Sequence, residues 1–102
     1  MLEAILYGLS IFAVGIALYV VAYLTLDYLT EWFDNYTANN QVDYDDVGFA
    51  LKESIESGDV RVVQGVFNKN SGTIKDARRI KAEDIDDDTR YRLGDEKLTI
   101  FS

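Results

Sequence analysis

The chain has no histidine, no cysteine and no proline among its 102 residues, and only one methionine and one tryptophan. Without cysteine there are no disulfides, no thiol nucleophile and no thiolate zinc site, and without histidine the commonest general base and the usual zinc ligand are gone. Basic charge is also scarce. Ten Lys plus Arg stand against eighteen Asp plus Glu, a formal charge of −8. Such a balance argues against a nucleic-acid partner, because neutralising phosphates takes a dominant field of Lys and Arg. Carboxylate, amine, hydroxyl and phenol chemistry remain.

What the sequence does have is one long uncharged run. The 23 residues from Ala4 to Leu26 carry no charge, and Glu3 and Asp27 bracket them. As a helix the run would be about 34 Å long at ~1.5 Å per residue, enough for the ~30 Å hydrocarbon layer of a bilayer. Tyr7, Tyr23, Tyr28 and Trp32 lie toward its ends, where amphipathic rings favour the headgroup region. The run therefore predicts a single-pass membrane protein, with residues 1–36 a transmembrane helix and its juxtamembrane extension. Both flanks lack Lys and Arg, and a short N-terminal tail is easily translocated, so the C-terminal part is expected on the cytoplasmic side. Gly8, Phe12, Gly15, Tyr19 and Ala22 follow alternating steps of four and three, a heptad seam on which a neighbouring helix could pack against small residues.

Residues 37–42 read as a polar linker and 43–102 as a small acidic α+β domain. Val47, Leu51 and Ile55 fall on one face of an expected helix that Gly58 would end. Val60 to Phe67 is rich in β-branched residues, Asn68 to Gly72 supplies turn chemistry, and Thr73 to Ile80 reads as the returning strand. Glu83 to Leu93 is an expected second helix, and Lys97 to Phe101 a closing strand. The expected fold is thus one N-terminal transmembrane helix plus helix, strand, strand, helix, strand, with a three-stranded sheet.

Two charge clusters invite a functional reading. Asp84, Asp86 and Asp88 have the first, third and fifth spacing of a calcium loop, with Asp95 at the twelfth place, but Thr89 stands where the loop requires glycine. Acids gathered in the first turn of a helix, opposing its dipole, explain the same pattern. Lys75, Arg78, Arg79 and Lys81 form the concentrated basic patch, a candidate partner contact beside Asp76, Glu83 and Asp84. No nucleophile–base pair or phosphate loop is present, and the calcium-loop spacing fails at its glycine, so no catalytic residue, cofactor or metal is expected. The sequence points to a non-enzymatic membrane accessory or assembly subunit, contacting lipid and either other membrane subunits or copies of itself. The rivals are a self-assembling pore, filament or phage-type lysis regulator, and a divalent-cation or ligand sensor on a membrane anchor.

Overall fold

A computed structural model describes residues 1–12 and 16–101. The long uncharged run is not one helix. It divides into α1 (Leu2–Phe12), β1 (Ala17–Leu24) and the start of α2 (Leu26–Asn39). Among the described residues no helix is long and apolar enough to cross a membrane. The expected transmembrane helix, the single-pass membrane location and its cytoplasmic orientation are therefore corrected together. The physical reason lies in the composition of the run's second half. Half of Ala17-Leu-Tyr-Val-Val-Ala-Tyr-Leu24, with Tyr19, Val20, Val21 and Tyr23 clustered at its centre, is β-branched or aromatic, side chains that fit a pleated surface better than a helix. Thr25 then resets the chain: its backbone is extended and its hydroxyl accepts the Tyr28 amide at 3.1 Å, capping α2.

The remaining elements are β2 (Asp46–Glu56), β3 (Asp59–Asn68), β4 (Thr73–Ile85), α3 (Asp87–Leu93) and β5 (Leu98–Phe101). Among the described residues the sheet has five strands in the order β1-β4-β3-β2-β5, not three. β1 runs parallel to β4, and every other pairing is antiparallel. The expected helix over Val47 to Ile55 is the strand β2. Val47 and Leu51 are four apart, and four is also an even number of strand steps, so the pair marks one strand face, while a bulge between Lys52 and Ser54 turns Ile55, opposite Val60, to the other. Phe49, buried with Val47 and Leu51 packed around it, falls on that face too. Ala50 is fully buried in the opposite cluster, so the middle of β2 is covered on both sides.

Each face of the sheet carries its own core. On one side Ile5 and Leu9 of α1 pack with Phe49, Leu51, Val63, Phe67, Ile74 and Ala77. On the other, Leu29 of α2 and Leu93 of α3 pack with Leu24, Ala50, Val60, Val62, Ile80, Ala82 and Ile85. Two glycines permit this layering. A methyl on Gly65 would lie 2.6 Å from the Asp76 carbonyl oxygen and 2.7 Å from Phe49, and one on Gly48 would lie 2.6 Å from the Phe33 ring. The β2–β3 hairpin turns at Ser57-Gly58, where Gly58 has φ 82°, a conformation glycine adopts without a Cβ penalty.

Candidate functional site

The residues of the expected heptad seam are dispersed by this fold. Gly8 is buried in α1, where a Cβ would sit 3.0 Å from the Ile74 side chain. Phe12 packs on the same core cluster. Gly15 lies outside the described residues. Tyr19 and Ala22 are exposed on β1. Gly8 therefore serves the seating of α1 on β4.

The basic patch divides along β4 because successive side chains take opposite faces. Arg79 points to the α1 side and pairs with Glu53 of β2 at 3.0 Å, and Lys81 is exposed on that side. Lys75, at the irregular start of the strand, pairs with Asp46 at 2.9 Å. Burial pushes the Asp46 carboxyl up, but bonds from Lys75, the Asp43 amide and Asn68 outweigh it and hold it below its ordinary value.

Arg78 faces α2 and is only 6% exposed. Its guanidinium lies 4.4 Å from the centre of the Tyr28 ring, 5.3 Å from Tyr19 and 5.5 Å from Trp32. Its Nε donates to Gln64 Oε1 at 2.8 Å and its Nη2 to the Tyr28 carbonyl at 3.2 Å. Gln64, fully buried, passes the connection on by donating to the Leu29 carbonyl at 2.6 Å. No carboxylate pairs with Arg78 among the described residues. Burial accordingly lowers its pKa, with Tyr28 and Tyr19 acting in the opposite direction. The cation is stabilised by ring faces and amide oxygens, and it ties β1, β3 and β4 to the first turn of α2. Sequence reasoning missed this arrangement; its one signal was a glutamine inside Val62-Val-Gln-Gly-Val66, a polar side chain in an otherwise apolar stretch of β3.

Beyond Leu29, α2 borders a cleft of about 390 Å³ lined by Phe33, Gly48, Val66 and Phe101. Thr30 and Thr37 at its wall donate back to the carbonyls of Asp27 and Asp34, and Arg92 at its mouth stacks on Phe101 at 4.3 Å while donating to the Ile100 carbonyl. Most of the polar groups around the cleft are thus engaged within the fold.

The acidic segment acts as a helix start. Asp86 N-caps α3, its carboxylate accepting the Thr89 amide at 2.9 Å, and Asp87 and Asp88 occupy the first turn. Among the described residues no three acidic side chains converge as metal ligands would.

The largest unsatisfied feature is the edge strand β1. Leu18, Val20 and Tyr23 are 59%, 72% and 51% exposed, and Tyr19 and Ala22 are exposed beside them. Only β4 pairs with β1 among the described residues, so β1 is an edge of the sheet they form. Leu6, Tyr7 and Ile11 of α1 are exposed as well. The opposite edge differs. β5 has four residues, follows Asp95-Glu96-Lys97, and one of its carbonyls is occupied by Arg92. Short length and flanking charge are the ordinary protection of a sheet edge, and β1 has neither. No family model, curated protein or solved structure matches the chain.

Proposed function

We propose that the chain is a non-enzymatic assembly module that engages another polypeptide by strand addition along β1. The observation that carries this reading is an eight-residue edge strand with no charge, no proline and large apolar side chains in solvent. An edge of this kind offers main-chain hydrogen bonds for affinity and alternating side chains for selectivity. Arg78 supports the same reading, since its stack against Tyr19 and Tyr28 holds the strand's α2 side firm and limits the ordering cost of docking. A catalytic role has less to recommend it: Asp86 caps a helix, Asp46 and Glu53 pair with bases, and the sequence has no histidine or cysteine.

The test replaces Val20 by a photo-crosslinking p-benzoylphenylalanine in the expressing cell, with the same group at Tyr44, 96% exposed and remote from the strand, as control. The expected result is an adduct specific to position 20 that maps by mass spectrometry to an extended segment of a second polypeptide. Equal and diffuse labelling from both positions would overturn the reading.

A further inference from the structure

Resting on the strand-addition reading above, we infer that the polypeptide that adds to β1 is a second copy of this chain, its β1 antiparallel to the first across a two-fold axis normal to the sheet. Three observations converge on a self-complementary edge. The first is charge. At −8 per chain two copies repel in general, yet β1 contributes nothing to that repulsion because every residue from Ala17 to Leu24 is neutral. The nearest charges sit on β4, one strand inward. Across the seam the two β4 rows would be three strand spacings apart, about 14 Å, beyond the ~8 Å screening length of physiological salt.

The second is the alternation of faces. Val21 packs on the α2-side core and Tyr19 lies against Arg78 on that side, so Leu18, Val20 and Ala22 take the α1 side. A two-fold normal to the sheet preserves the two sides, and opposed residues must share one, so the axis passes through a residue. With Val21 on the axis, Tyr19 opposes Tyr23 of the second copy on the α2 side and Val20 opposes Ala22 on the other. Aromatic cross-strand pairs of this kind favour the register.

The third is area. Leu18, Tyr19, Val20 and Tyr23 together expose on the order of 500 Å² per chain, and Met1, Leu6, Tyr7 and Ile11 of the N-terminal segment a comparable amount. A strand added in the plane of the sheet shields the flanks of the β1 side chains and pairs the strand's outer row of amides and carbonyls, which supplies the attraction. Pairing would join two five-stranded sheets into one, leaving only the protected β5 edges at its ends.

Sedimentation velocity on the full chain from about 1 to 100 μM tests the inference. The wild type is expected to sediment as two copies. Val20→Lys and Val20→Glu, each placing like charges diagonally across the axis, should raise the dimer Kd about threefold or more. An equimolar mixture of the two variants should restore the dimer, which a contact elsewhere on the molecule would not do. A wild type that stays a single copy throughout the range overturns the inference, and this arm does not depend on any variant folding. So does a dimer indifferent to both substitutions. If the wild type is a single copy while the position-20 crosslink captures a different polypeptide, the self-pairing fails and strand addition stands. If there is neither dimer nor specific adduct, both fail.

Discussion

Removing the Arg78 side chain is the sharpest probe of how this fold is held. In Arg78→Ala the Gln64 Oε1 atom, fully buried, loses its donor. An orphaned buried acceptor costs about 1–3 kcal/mol. The stack on Tyr28 at 4.4 Å, desolvated and therefore at the strong end of cation–π contacts, contributes up to about 2 kcal/mol. Part of this returns, because a buried cation with no carboxylate partner is itself costly to desolvate. A net loss of about 3 kcal/mol is expected, lowering Tm by roughly 12 °C or more for a domain of this size. The informative variant is the double one. In Arg78→Met with Gln64→Leu both polar partners are replaced by apolar side chains of similar length, no side-chain acceptor is orphaned, and the Tyr28 and Leu29 carbonyls, within α2, fall back on intrahelical bonds. Stability should recover at least about half of what Arg78→Ala loses. Urea titrations of the wild type, the single and the double variants, compared at constant m-value, measure this. A single variant within about 0.5 kcal/mol of the wild type would refute the reasoning, as would a double variant less stable than the single one.

The buried Thr89 Oγ1 has no hydrogen-bond partner among the described residues, so Thr89→Val should raise the urea midpoint, by about 1 kcal/mol of stability, while leaving the Asp86 cap intact. Gly48→Ala should cost about 1–2 kcal/mol, because the Phe33 ring it strikes borders the open cleft and can move. Gly65→Ala should cost about 3 kcal/mol or more, since the Asp76 carbonyl it strikes is a strand backbone atom that cannot move. Thermal melts of the pair would show the order reversed if the reasoning is wrong. Asp46, whose pKa is lowered from 3.8, contributes stability that is present above that value and lost as pH falls through the folded one. Lys75, raised from 10.5, contributes below that value and loses its share as pH rises through the folded one. Asp46→Asn should therefore flatten the stability profile below about pH 4, and an unchanged acid limb in urea titrations would refute this.

Legibility of the sequence followed how many structures each pattern allowed. β3 and β4 lie where Val60 to Phe67 and Thr73 to Ile80 place them, because β-branched runs around Asn-Ser-Gly turn chemistry admit little else. α3 and β5 overlap their expected segments, although β4 takes residues 83–85 that a helix was expected to hold. The Val47 to Ile55 segment was ambiguous in principle, since steps of four satisfy either period, and Phe49 was the residue that separated them. The 23-residue apolar run was harder still. Hydrophobicity alone states that a segment leaves water, not whether lipid or a sheet receives it, and length favoured lipid. The clue to the other answer was local: Tyr, Val, Val and Tyr clustered in its second half, followed at once by a threonine able to cap a helix.

That same composition explains why the interaction surface lies where it does. A parallel strand is ordinarily buried on both faces and reads as a continuous apolar run, as β1 does. Here β1 is the edge, covered by α2 only over Val21 and Leu24, so a sequence suited to the middle of a sheet stands at its border. The basic patch could not have indicated this, because alternation along β4 sends Arg78 to one side and Arg79 and Lys81 to the other, and three of its four members are committed within the fold. What remains unspent is the apolar border. A strand composed for the interior of a sheet is completed when another strand covers it, and the neutral edge of a second copy is the partner whose chemistry it already matches.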